Sequence, residues 1–158
     1  MMKASCKPVA RRYAFYAVMC TALGVLGAGC HREPKISATS FEVHDAWVRA
    51  DPDSGATTAG YLRLVNGTPD SLVVSRFASD AARTVELHET SIDSAGEATM
   101  TMRDSLVIAP SHSVAMRPGA YHLMMIGTEH PLVPGTMVRI TMHLSNGSIV
   151  STSARVKS

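Results

Sequence analysis

The sequence predicts an all-β domain, and three observations support this fold class. Short alternating runs of apolar and polar residues recur about every 10 residues, a spacing typical of sandwiches and small barrels. No stretch shows a 3.6-residue apolar repeat longer than two turns, which argues against helices. Asn146-Gly147 separates two alternating runs and is a strong hairpin signal. We therefore expect a single-domain β-sandwich or small barrel of roughly seven to nine strands.

The strand candidates follow one another along the chain with turn-rich segments between them. FEVHDAWVRA opens the domain at residue 41, and DPDSGATTAG after it reads as a loop. YLRLVN alternates up to the turn NGTPD, and SLVVSRFAS continues beyond that turn. ATMTMRD and the long hairpin MVRITMHLSNGSIVSTSARV complete the pattern. Each run is short, as expected for strands rather than helices.

The run TVELHE shows how alternation sorts side chains between two faces. Val85 and Leu87 share one face, and Thr84, Glu86 and His88 share the other. This pattern predicts a strand that is packed on one side and polar on the other.

The N-terminus predicts export. Four basic residues, an apolar run and the segment LGAGC are typical of a secretory signal of the lipoprotein type, covering residues 1–29. In that interpretation Cys30 becomes the lipidated first residue, residues 30–40 form a tether, and residues 41–158 form the domain. Simple cleavage near Cys30 and a retained membrane anchor are the alternatives. We expect an exported, periplasmic protein that is tethered to the membrane through Cys30.

The cysteine and charge counts exclude several functions. Cys6, Cys20 and Cys30 all lie in or at the edge of the signal, so the domain has no disulfide and no thiolate ligand. This excludes blue-copper electron transfer, iron–sulfur clusters and cysteine zinc sites. From residue 30 onward there are 11 basic and 13 acidic residues, which does not suit nucleic-acid binding. No catalytic motif is present, and we expect no enzyme activity.

Methionine and histidine are the residues from which a metal site could be built. Seven of the ten methionines fall between residues 100 and 142, and core packing is the ordinary interpretation for any one of them. Met137 and Met142 belong to the hairpin and are expected to be structural. Five histidines have no partner that spacing can assign and are expected on the surface or on strand faces: His31, His44, His112, His130 and His143.

His88 and His122 differ because each lies beside the methionine pattern. Residues i and i+2 of a strand share a face, so His122 and Met124 can lean toward one ion. A hairpin after His88 would bring Met100 to the same end of the sheet. Two imidazoles and two thioethers would favour Cu(I) over zinc, magnesium or calcium. On spacing alone, core packing remains the alternative.

The spacing also resembles a known family, the PCu(A)C periplasmic copper chaperones. The family pattern is a His, an optional Met, ten residues, a Met, twenty-one residues and His-x-Met, which His88, Met100, His122 and Met124 match in full. The segments DAWVRA, AGYLRLVN, VELHET, MTMR and PGAYHLMMIG are similar as well. The chain departs from many relatives at Thr90, where they carry an auxiliary methionine.

The resemblance implies a cupredoxin-like β-sandwich that binds Cu(I) at an accessible site and delivers it to a partner, either a cytochrome oxidase copper centre or another copper chaperone. It assigns ligand roles to His88, Met100, His122 and Met124. Met102 is a possible auxiliary contact and ranks above Met125, which is expected to pack. We expect the ligands on loops at one end of the sandwich, where a partner could reach the ion. A copper storage or resistance protein and a β-sandwich interaction module without metal are the alternatives.

Overall fold

The computed structural model describes residues 40–158, which form ten β-strands and no helix. The predicted signal, tether and Cys30 lie outside the described residues, apart from Ser40. The strands are β1 (Phe41–Arg49), β2 (Thr57–Asn66), β3 (Leu72–Ser79), β4 (Ala82–Ile92), β5 (Ala98–Arg103), β6 (Leu106–Ile108), β7 (Ser113–Ala115), β8 (Tyr121–Thr128), β9 (Met137–Leu144) and β10 (Ile149–Lys157). The all-β prediction is confirmed.

The strands form one hydrogen-bonded path in the order β5-β4-β8-β2-β1-β10-β9-β3-β6, with β7 paired to β2. β1 and β10 pair in parallel, and every other pairing is antiparallel. β3 and β4 lie next to opposite ends of this path and nevertheless contact each other. The sheet therefore curls around a common interior.

One apolar cluster fills that interior, because alternate residues of each strand point inward. Its largest fully buried members come from seven strands and the 129–136 loop: Leu62, Leu64, Ile108, Leu123, Met125, Leu132, Ile140, Met142, Val48, Val74 and Val156. Val85 and Leu87 belong to the same cluster or pack against it, as the alternation of TVELHE predicts. The core thus covers the inner face of β4 and β8 and leaves their outer face for polar side chains.

Three details differ from the sequence-based expectation. The strand count is ten, because β6 and β7 have only three residues each and carry no periodicity that a sequence could reveal. β2 begins at Thr57, inside the predicted loop, because Thr57 to Gly60 pair with β8. Met137 is more than half exposed, so its predicted structural role is wrong, whereas Met142 is fully buried as predicted.

The predicted hairpin at Asn146-Gly147 is present between β9 and β10. Gly147 has a φ of +85°, a backbone conformation that glycine adopts without a steric penalty. The Asn146 side chain accepts a hydrogen bond from the Ser148 amide at 2.9 Å, which closes the turn locally. His112 and His130 are exposed and His44 and His143 are half-buried, as expected for surface or strand-face residues.

Within residues 40–158 no helix is long and apolar enough to cross a membrane.

Candidate metal centre

Three neighbouring strands, β5, β4 and β8, bring the predicted ligands together. His88 on β4 is paired directly with His122 on β8 and, on its other side, with Met102 on β5. Met100 lies two residues further along β5, and Met124 two residues further along β8. Since side chains two residues apart share a face, all five project from the outer face of this sheet.

The ligands therefore lie on strands, and the expectation that they sit on loops at one end of the sandwich is wrong. The reason is the length of β4 and β8, which run as paired strands from Ala82↔Thr128 to Glu89↔Tyr121. A site on paired strands is held by the backbone ladder on both sides, so its geometry is set by strand register.

The two imidazole rings are close neighbours, with centroids 5.8 Å apart and planes inclined by 44°. His122 is almost fully buried, and its Nδ1 lies 3.0 Å from the carbonyl oxygen of Ala120. A carbonyl oxygen only accepts hydrogen bonds, so Nδ1 is the donor and Nε2 keeps its lone pair in the neutral ring. Imidazole nitrogens bind a first-row metal at about 2.0–2.1 Å, so two neighbouring rings are candidates to share one ion.

His88 lies on β4 between β5 and β8, and its side chain is 12% exposed. Its Nε2 lies 2.9 Å from Oε2 of Glu86. Its other nitrogen, Nδ1, is buried and has no hydrogen-bond partner within the described part of the chain. Buried polar atoms almost always have a partner, so an orphaned ring nitrogen beside a second histidine suits a metal ion.

The methionines differ in where their side chains lie. Met100 and Met124 line a cavity of about 460 Å³ together with His122, Thr90 and Tyr61. Met102, although paired with His88 in the backbone, lines a separate hollow of about 180 Å³. Met100 and Met124 therefore share a cavity with His122, and Met102 does not line that cavity.

Met125 is fully buried in the core, in agreement with its expected packing role. It follows Met124 directly on β8, so the two methionines point to opposite faces of the sheet. Thr90, which replaces the auxiliary methionine of many relatives, lies opposite Met100 and lines the same cavity.

Two acidic side chains of the segment that follows His88, Glu89 and Asp93, are engaged elsewhere. Glu89 contacts the Arg103 guanidinium at 2.7 Å. Asp93 accepts hydrogen bonds from the amides of Ala95 and Glu97 and so stabilises the β4–β5 turn. Across residues 40–158 no group of three or more His, Cys, Asp or Glu side chains could hold a metal ion. A hard-cation site built from carboxylates is therefore not formed among these residues.

Tyr121 precedes His122 and lies opposite Glu89 in the β4–β8 ladder. Burial raises the pKa of its phenol above the ordinary value, and the negative charge of Glu89 adds to the shift. Tyr121 therefore stays neutral over the physiological range. It contributes no charge to the surroundings of the histidines.

The predicted donors, two imidazoles and two thioethers, therefore lie on one face of three strands. Thioethers are soft ligands that select Cu(I), and imidazole binds copper as well as zinc. The arrangement is chemically suited to a soft monovalent cation and less suited to magnesium or calcium, which prefer oxygen.

Comparison with known proteins identifies the family. The model of the family described as "Putative lipoprotein LpqE-like" matches residues 41–156, nearly the whole described domain. The chain belongs to this LpqE-like family. A putative lipoprotein of Leifsonia xyli subsp. xyli is 27% identical over 140 residues, which cover 85% of this chain and 83% of that protein.

Solved structures show the same fold in copper-binding domains. The copper-bound PCuAC domain from PmoF2 superposes with a TM-score of 0.63 at 19% identity, over 77% of this chain and 96% of that domain. The solution structure of Cu(I)-DR1885 from Deinococcus radiodurans has a TM-score of 0.58 and 28% identity, over 82% of this chain and 83% of that one. The resemblance of this LpqE-like chain to PCu(A)C domains, and its cupredoxin-like fold class, are thereby confirmed.

Sequence reasoning missed one residue of this site, Glu86. The alternation of TVELHE already placed Glu86 and His88 on one face, but no role followed from that placement. A carboxylate two residues before a histidine on the same strand was the available signal.

Proposed function

We propose that this LpqE-like domain binds one Cu(I) ion through His88, Met100, His122 and Met124 and delivers it to a copper-accepting protein. The observation that carries the proposal is the direct pairing of His88 with His122, with the thioethers of Met100 and Met124 on the same outer face. The copper-bound relatives with the same fold support it.

Cu(I) is the cargo that the donor set favours. Zinc and hard cations gain little from thioethers, whereas Cu(I) accepts both thioether and imidazole ligands. Thioethers and neutral imidazoles bind copper without losing a proton. Binding therefore adds the single positive charge of Cu(I) to a set of uncharged ligands.

The unequal exposure of the proposed ligands favours delivery of the ion to a partner. The histidines are nearly buried, but Met100 lies on the terminal strand of the sheet and is more than half exposed. An acceptor can approach from the β5 side and exchange its own ligand for the Met100 thioether first. Binding and transfer need no catalytic group, in keeping with a carrier rather than an enzyme.

The match to a family described as lipoprotein-like supports a location outside the cytoplasm. In our proposal Cys30 carries the lipid, and the domain works in the periplasm on the short tether that precedes β1. The acceptor we propose is a cytochrome oxidase copper centre or a second copper chaperone, because these proteins receive copper on that side of the membrane.

X-ray absorption on the copper-loaded domain tests the ligand set. We expect two sulfur and two nitrogen neighbours per copper, and one tight equivalent of Cu(I) in competition with a chelator. The double variant His122→Ala/Met124→Ala should lose that equivalent, while Met137→Ala, which removes a methionine of β9 outside the three ligand strands, should keep it. A shell of only nitrogen and oxygen, or an unchanged affinity in the double variant, would refute the assignment.

A transfer assay with the same copper-loaded protein distinguishes delivery from storage. Delivery predicts that copper moves to the soluble copper-binding domain of an oxidase subunit when the two are mixed. More than one tightly held copper per chain without such transfer would favour storage.

A further inference from the structure

We propose that Glu86 is a positioning residue that orients His88 for copper. It holds the ring in the tautomer protonated on Nε2, so that His88 presents Nδ1 to the ion while His122 presents Nε2. The copper part of this inference rests on the proposed function. The orientation of His88 is a property of the metal-free chain and can be tested without copper.

The contact between Glu86 and His88 determines which ring nitrogen carries the proton. The two residues are two positions apart on β4 and share its outer face, and Oε2 lies 2.9 Å from Nε2. An ionised carboxylate only accepts hydrogen bonds, so Nε2 must be the donor. A neutral imidazole has one donor and one acceptor, which leaves the lone pair on Nδ1.

That lone pair has no partner within the described part of the chain, and a second imidazole lies next to its ring. Nδ1 of His88 is buried and has no partner among the described residues, and the His122 ring lies on the adjacent strand at a centroid distance of 5.8 Å. An unsatisfied buried acceptor destabilises a fold unless something compensates for it. A copper ion between the rings would supply the missing partner.

The two histidines are held by different groups on their far sides. The Ala120 carbonyl accepts from Nδ1 of His122, and the Glu86 carboxylate accepts from Nε2 of His88. Metal-bound histidines generally donate their other N–H to a carbonyl or a carboxylate, which fixes the tautomer and the ring orientation. Here the pair uses one of each, and the resulting ligand set is mixed, with one Nδ1 and one Nε2.

Glu86 has no competing role within residues 40–158. It makes no ion pair other than that with His88, since the nearby Arg103 guanidinium contacts Glu89 instead. Its side chain is 32% exposed, so replacing it leaves no large cavity. Glu86 also lies opposite Met124 in the β4–β8 ladder, beside the ligands rather than among them.

Nitrogen-15 NMR of the copper-free domain tests the orientation directly. In the parent we expect long-range proton–nitrogen correlations that show His88 protonated on Nε2. Glu86→Ala should lose this preference and exchange between tautomers, whereas Glu86→Gln should retain it through the amide oxygen. Glu42→Ala is the matched control, because it removes a carboxylate with the same two-residue contact to His44 and should leave His88 unchanged.

Copper affinity, measured by chelator competition on the same four proteins, completes the test. Loss of such a partner typically weakens metal binding about 10–100-fold, which we expect for Glu86→Ala. Glu86→Gln should recover part of that loss, and Glu42→Ala should bind as the parent does. The dispersed backbone spectrum of each variant confirms that it is folded.

Two results would overturn the inference: an unchanged His88 tautomer in Glu86→Ala, or a changed tautomer with parental copper affinity. A failure of the proposed copper function would give a different combination of results. If the parent bound no copper but Glu86→Ala still released the tautomer of His88, the copper proposal would fail and the orienting role of Glu86 would stand.

Discussion

Two strands of this domain carry the same local arrangement, a glutamate two residues before a histidine with a carboxylate–imidazole contact. In β1 the Glu42–His44 distance is 3.0 Å, and in β4 the Glu86–His88 distance is 2.9 Å. Strand alternation alone produces both contacts. Their surroundings differ, and that difference decides which of them can be part of a metal site.

The residue across the neighbouring strand is the first difference. His44 is paired with Arg63, whose guanidinium contacts Asp45 at 3.3 Å. His88 is paired with His122. A cation beside His44 opposes metal binding, whereas a second imidazole beside His88 provides another ligand.

The other side of each strand adds to the contrast. β1 pairs with β10 only from Trp47 onward, so within residues 40–158 His44 has no strand on that side. β4 pairs with β5 throughout the region of His88, and β5 carries Met100. The side chains of Glu42 and His44 are 38% and 40% exposed, against 32% and 12% for Glu86 and His88. Of these two Glu–His contacts, strand pairing thus places only Glu86–His88 beside further candidate ligands.

The largest expected effect separates the two histidines. His88→Ala removes a direct ligand, so Cu(I) affinity should fall by more than about 100-fold, beyond the loss typical of an outer partner. His44→Ala removes a surface imidazole and should leave the affinity unchanged. Chelator competition on both variants gives the comparison. Equal losses of affinity would mean that both strands contribute to copper binding and that His88 does not differ from His44 in this respect.

The next largest expected effect on Cu(I) affinity concerns the methionine thioethers of β5, which lie beside β4 and have no counterpart beside His44 on β1. Met100 and Met102 have similar exposure, 52% and 56%, so Leu at either position perturbs the fold little. Met100 lines the cavity with His122, whereas Met102 lines a separate hollow. A direct ligand should matter at least as much as an outer partner, so we expect Met100→Leu to lower Cu(I) affinity by about 10-fold or more.

Met102→Leu should cost clearly less than Met100→Leu in the same competition assay. X-ray absorption should show one sulfur fewer in Met100→Leu and an unchanged sulfur count in Met102→Leu. The reverse order would assign the ligand role to Met102, which has the closer backbone position to His88.

The spacing of His88, Met100, His122 and Met124 predicts which residues can meet, because two-residue alternation fixes the face of each side chain. It does not predict that His88 is paired directly with His122, 34 positions away. That register depends on how β8 fits between β4 and β2 and on the packing of Leu123 and Leu87 beneath it. Strands and faces are local properties, whereas register is a property of the whole sheet.

Glu86 shows the same limit at the level of one residue. Its face follows from the sequence, but its role depends on the burial of His88 and on the orphaned Nδ1, which only the packed sheet creates. β6 and β7 were not predicted for a related reason, because three residues carry too little periodicity to indicate a strand. They form strands because β3 and β2, respectively, have free edges with which they can pair.

The smallest expected effect concerns the β1 pair itself, as an ordinary surface contact. The hydrogen bond from Ser40 and, next, that from His44 hold the pKa of Glu42 below its usual 4.5. A carboxyl whose pKa is lowered by folding stabilises the fold above its unfolded pKa, and this contribution is lost as the pH falls through the folded value. Because the Glu42 side chain is 38% exposed, solvent screens this contribution and keeps it small.

Urea unfolding of the parent and Glu42→Gln at several pH values measures this contribution. The parent should be slightly more stable at pH 6, and the difference should shrink as the pH falls below about 4.5. Ser40→Ala, which removes the largest cause of the shift, should give part of the same loss. A difference that grows toward low pH would contradict the direction of the shift. The expected result would establish Glu42–His44 as a solvated surface pair, in contrast to the Glu86–His88 contact that packs against a second histidine.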